Sequence, residues 1–145
     1  MKEDTFSIRG DLHIVLKDKE GKLKQEVNIH NAVKNAGLYG LLDQVLASPT
    51  LAKVGWMAIG TGTPAATLLG AEIDRKALTS KTRSNAVLTM VADWGAGDGT
   101  GAITEAGLFD VVTDNTVNMW CSSSFDVINK GASDSLQITW TITIS

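Results

Sequence analysis

The chain is poor in the residues that staple or punctuate a small protein. Its 145 residues include one cysteine, two prolines, one tyrosine and two histidines. With Cys121 alone, no internal disulfide can form, so the fold must rest on its own core. A chain of this length fits one domain, residues 1–145, and buries roughly 68–70% of its unfolded surface. Cys121 reads as a small buried hydrophobe, because the nearest histidine in sequence is His30 and a reactive thiol needs a base beside it. His13 and His30 lie on neighbouring predicted strands and could approach each other, but no third metal ligand is evident. No run approaches the ~18 apolar residues of a membrane span. Met1–Thr5 has no apolar signal core, so the chain is expected to begin near Met1 and to be made in a cytoplasm. Positive charge is not in excess either. Thirteen Lys and Arg face sixteen Asp and Glu, a formal net charge of −3. The basic residues of Lys17–Lys24 are mixed with Asp18, Glu20 and Glu26, which reads as a solvated hairpin tip and not a nucleic-acid patch.

What is present is alternation. Leu136, Ile138, Trp140, Ile142 and Ile144 alternate with Gln137, Thr139, Thr141, Thr143 and Ser145. A period of two in β-branched and aromatic residues predicts a long strand with one face on a core. Phe6, Ile8, Leu12, Ile14 and Leu16 share a parity, with Gly10 in the missing slot. Asp18–Lys22 predicts a turn, and Leu23, Val27 and Ile29 predict the return strand of a hairpin. Val54–Ile59, Arg75–Thr82, Ala86–Trp94, Ile103–Val112 and Val117–Val127 complete the strand set, with a turn at Thr113–Thr116. Asn129–Asp134 is a polar connection. Gly95–Gly101 reads as a flexible link. The count is about eight strands.

One helix is predicted, over Asn31–Ala47, with Asn31 as its N-cap. Leu38, Leu41, Leu42 and Val45 have i, i+3, i+4, i+7 spacing, which marks the face expected to meet the core. Gly37 and Gly40 weaken a helix, but their missing Cβ atoms would permit close approach to a sheet. No βαβ alternation or repeat appears. The expected fold is mainly β, an antiparallel, jelly-roll-like sandwich with one amphipathic helix at an edge or end.

Candidate chemistry is sparse. Gly60-Thr-Gly-Thr63 lacks the lysine and helix of a phosphate loop and reads as a tight turn. Glu105 shares the parity of Ile103 and Phe109, so simple alternation buries it. A buried carboxylate needs charge-assisted bonds, and Arg75 is the expected partner. Its pairing would hold the Gly60–Asp74 loop against the Ile103–Val112 strand. The alternative is a bulge at Gly107 that turns Glu105 outward. Gly60, Gly62 and Gly107 are accordingly read as structural. Trp94 and Trp140 lie on apolar faces. Trp120 has the opposite parity to Met119 and Cys121, which makes it the tryptophan expected at an interface or ligand.

Five segments in this order carry a resemblance: Asn31–Leu38, Ile59–Pro64, Leu69–Arg75, Ile103–Asp110 and Lys130–Trp140. Together they resemble small structural proteins of tailed bacteriophages and prophages, the tail, tail-fibre-like and head-associated proteins. The resemblance spans almost the whole chain and brings no catalytic residue with it. It implies a non-enzymatic virion component, made in the host cytoplasm, without cofactor or metal, that assembles with capsid, collar or tail proteins. Self-association is expected, as a trimer before a dimer. A glycan-binding module of the virion, using an exposed aromatic, is the alternative.

Overall fold

The computed structural model describes residues 7–112 and 118–145. Its longest pairing joins the two strands whose alternation is clearest. β1 (Ile8–Lys17) runs antiparallel to β9 (Ser135–Ile144), from Ile8 opposite Ile144 to Lys17 opposite Ser135. Leu12, Ile14, Leu16, Leu136, Ile138 and Trp140 of this pair are all at most 2% exposed. β2 (Leu23–Val33) pairs with the other edge of β1. The hairpin turn is tied by the Asp18 carboxylate, which accepts from the Glu20 and Lys22 amides, with Gly21 at φ 81°.

The remaining elements are α1 (Asn35–Asp43), β3 (Trp56–Gly60), β4 (Glu72–Ala77), β5 (Ser80–Ser84), β6 (Val87–Trp94), β7 (Gly101–Phe109) and β8 (Met119–Lys130). The hydrogen-bonded order is β4-β3-β7-β8-β2-β1-β9-β6-β5. β2 is the seam. It pairs with β1 up to Asn31 and then with β8 through Ala32 and Val33, so the ladder folds over into two facing antiparallel sheets. At the opposite side the chain crosses between sheets at Leu78–Thr79, which divides the expected Arg75–Thr82 strand into β4 and β5. The fold is thus mainly β, an antiparallel sandwich with one short helix. Its hairpins stay within one sheet, while the β4–β5, β6–β7 and β8–β9 connections change sheets. The expected turn at Thr113–Thr116 lies outside the described residues.

The seam explains a composition detail. A Cβ on Gly10 would overlap the Asn31 side chain, which turns into that space and accepts a bond from Trp140 Nε1 at 3.0 Å. Asn31 is therefore a strand residue, not the helix cap. The helix begins four residues later, after Lys34, which makes no side-chain cap bond.

The glycine-rich connection after β6 is pinned and not a loose link. Lys130, 2% exposed, donates to the Gly95 carbonyl at 2.9 Å, Lys76 pairs with Asp98 at 2.9 Å, and the Gly97 amide reaches the Ala132 carbonyl at 2.7 Å. Burial pulls the Lys130 ammonium below its usual range, against the charges of Asp134, Asp98 and Asp74.

A candidate assembly surface

Four of the residues singled out from sequence converge on the outer face of the β3–β7 pair. Glu105 is fully buried. Its Oε1 accepts from the amides of Gly62 (3.1 Å) and Ala71 (2.7 Å), and its Oε2 from Gly70 (2.8 Å). Thr104 Oγ1 donates to the Gly62 carbonyl beside it. A Cβ on Gly60 would overlap the Glu105 carboxylate, and one on Gly107 would press on Met119, Phe109 and Leu69. The 61–71 loop is thus laid across the sheet and anchored by one carboxylate. Leu69 seals it, packing with Ala58, Phe109 and Met119 in a second apolar cluster.

Arg75 is not the partner of Glu105. Its Nε and Nη2 bind the Glu72 carboxylate at 3.0 and 2.6 Å, its Nη1 donates to the Val111 carbonyl, and its guanidinium carbon stands 3.8 Å from the Phe109 ring centre. Both charged side chains are 1% exposed. Regular alternation would put residues three apart on opposite faces. Ile73 is an extra residue between Gly60–Glu72 and Ile59–Asp74 pairs, and this bulge brings Glu72 round to Arg75. The alternation also fails along β7. The register shifts between Ile103 and Glu105, so that Ile103, Ala106 and Leu108 enter the main core while Glu105, Gly107 and Phe109 face the loop. The shift lies before Glu105 and not at Gly107, and the face it gives Glu105 is buried as well.

Trp120 corrects a further expectation. It is 7% exposed, not the outward-facing tryptophan that its parity suggests, and lies beneath α1 at the wall of a cleft between the sheets. It is the extra residue between the Leu108–Cys121 and Phe109–Met119 pairs, and α1 covers it. A Cβ on Gly40 would overlap its ring, and one on Gly37 its carbonyl oxygen. The close approach foreseen for these glycines is what docks the helix. Asp110, 6% exposed, lies nearby. Burial pushes its carboxyl up, and the Trp120 indole, Asn118 and Arg75 pull it back only in part. Trp120 Nε1 and Asp110 Oδ1 still lack hydrogen bonds of good geometry.

With glycines facing the sheet, the leucine stripe of α1 turns outward. On α1 Tyr39 is 63% exposed and Leu42 71%, with Leu38 and Leu41 more than a third exposed, and the turn after the helix continues the strip with Val45 at 84% and Leu46 at 56%. The stripe was legible in the sequence, but the direction it faces was not. Asp43, the acidic residue of α1, is turned back on the chain: its carboxylate accepts from the amides of Thr50 and Leu51 and the Thr50 hydroxyl, which hold it below its usual range. The result is an uncharged apolar strip that groups six of the exposed large hydrophobics of the described residues. The patch of a typical monomer is a few hundred Å², and such strips mark interaction sites.

Each histidine is paired with a carboxylate. His30 binds Asp11 and His13 binds Glu26 at 2.7 Å, on the open face of the β1–β2 hairpin. Burial raises the Asp11 carboxyl, but the His30 and Arg9 contacts outweigh it and leave it low. Among the described residues no three His, Cys, Asp or Glu side chains form a metal-holding group. Burial pushes the Cys121 thiol up to about 12, so it is held protonated. No helix among these residues is long and apolar enough to cross a membrane. Comparison with protein families, curated proteins and solved structures gives no match.

Proposed function

We propose that this protein is a structural component of a tailed-phage virion, a head-decoration, collar or tail protein, which works by protein–protein assembly and turns over no substrate. The observation that carries the reading is the outward stripe along α1 and the turn that follows it. A small domain gains nothing alone by exposing Tyr39, Leu42, Val45 and Leu46 together; the stripe makes sense when a subunit covers it. The five-segment resemblance to phage structural proteins supplies the kind of assembly. A second copy is the first occupant of the stripe, because an uncharged apolar strip is complementary to itself, and closed rings or pairs are the usual outcome. The glycan-binding alternative is weakened: Trp94, Trp120 and Trp140 are buried, Trp56 is half-buried, and the exposed aromatic among the described residues is Tyr39. Immunogold labelling of purified virions with an antibody to this protein tests the reading. Regular labelling of head, neck or tail is expected; unlabelled particles from cells that make the protein would sink it.

A further inference from the structure

The two sheets part at the end of the sandwich beneath α1 and leave a cleft of about 790 Å³. Leu88, Met90 and Ile142 line it from one sheet, Leu108 and Cys121 from the other, and Leu41 of the helix forms part of the roof. Its mouth carries Lys53, Lys81 and Arg83, all exposed, and no carboxylate lines it. None of the three cations has an ion-pair partner among the described residues. Lys81 Nζ and Arg83 Nη1 rest instead on the carbonyls of Val54 (2.5 Å) and Asn85 (2.7 Å). In a chain of net charge −3, three unpaired cations around one apolar opening are a strong local asymmetry.

We propose that this cleft binds a free single-chain anionic amphiphile, a long-chain carboxylate, with its alkyl chain between the sheets and its head group on Lys53, Lys81 and Arg83. The volume falls within the roughly 300–1,000 Å³ of small-molecule sites, which are mostly apolar with a few placed polar groups. An alkyl chain asks nothing of the walls but burial. A peptide segment would bring backbone amides and carbonyls that need partners, and the uncharged polar side chains lining the cleft are few: Gln44, already bonded to the Leu51 carbonyl, and Asn85. A cationic amphiphile would meet the wrong charge. The inference does not depend on the virion reading.

The test is calorimetric titration of the full chain with dodecanoate below its micelle concentration, beside dodecyltrimethylammonium and phosphatidylglycerol vesicles. Saturable one-to-one binding of dodecanoate is expected, with the cation at least tenfold weaker. The exposed-site double variant K81E/R83E should weaken dodecanoate at least tenfold, and A86W, at the exposed mouth, should block it, with both variants melting as the parent does. Absence of saturable binding, equal affinity for the cation, or unchanged affinity in K81E/R83E would overturn the proposal. So would binding to the vesicles that free dodecanoate fails to compete away, which would assign the cations to a membrane surface. If either variant is misfolded, Arg83→Gln and Lys81→Gln separately must still each weaken binding.

Discussion

Glu105 and Arg75 show how far a buried charge can be reasoned from its residue type. Each needs compensation, and each has it, but from different partners. The carboxylate of Glu105 collects three backbone amides of one loop, while Arg75 takes Glu72, a carbonyl and an aromatic face. Glu105→Ala should therefore cost about 3 kcal/mol, because several buried donors lose their acceptor at once. Arg75→Ala should cost roughly 3–5 kcal/mol by stranding Glu72. A double-mutant cycle separates the two. Chemical denaturation should show strong coupling between Arg75 and Glu72 and near-additivity between Arg75 and Glu105. Asp110 supplies a pH-dependent case. Its folded value is raised above the ordinary 3.8, so its favourable contribution is complete below that value and is lost as pH rises through the raised folded one. Asp110→Asn should gain on the parent between pH 3 and pH 7. Thermal midpoints that keep the same difference at both ends would contradict the burial that raises this group.

At the scale of elements, the strands were legible and their irregularities were not. Leu136–Ile144 and Ile8–Leu16 alternate because one sheet covers one face of each, and period two reports that faithfully. The outer sheet is covered on both faces, by the other sheet within and by the 61–71 loop and α1 without. There a bulge changes which face the neighbouring residues take while Glu72, Arg75 and Glu105 stay buried, so the extra residues Ile73 and Trp120 leave no mark in the apolar pattern. The helix was found by its leucines and misplaced by them, since spacing defines a stripe and not the direction it points. Gly37 and Gly40 held the missing information. Gly37→Ala would set a methyl group against the Trp120 carbonyl, which is backbone and cannot yield; Gly40→Ala would set one into the Trp120 ring. Alanine favours an isolated helix by about 1 kcal/mol over glycine, yet both substitutions should loosen α1 from the sheet. Amide exchange over residues 35–43 should speed up in each. Slower exchange would mean that the helix does not dock through this face.

For the whole molecule the question is what the outward stripe does. Leu42 and Val45 are 71% and 84% exposed, and α1 holds to the sheet through its other side. Replacing both with glutamate removes apolar surface from water contact and breaks no packing, so the protein should melt as before or slightly later. A second copy seated on the stripe would then meet four carboxylates across a two-fold contact, or two at each junction of a ring. Charges forced into an apolar interface cost several kcal/mol each after relaxation, far more than a contact of standard size can spare. Sedimentation velocity should accordingly show the parent as an oligomer that dissociates on dilution, and the L42E/V45E variant as a monomer at every concentration tested. A parent that stays monomeric would hand the stripe to a different subunit. An oligomer that survives both glutamates would place the self-contact elsewhere, and the free outer edge of β5, guarded by Lys81 and Arg83, would then be the next surface to probe.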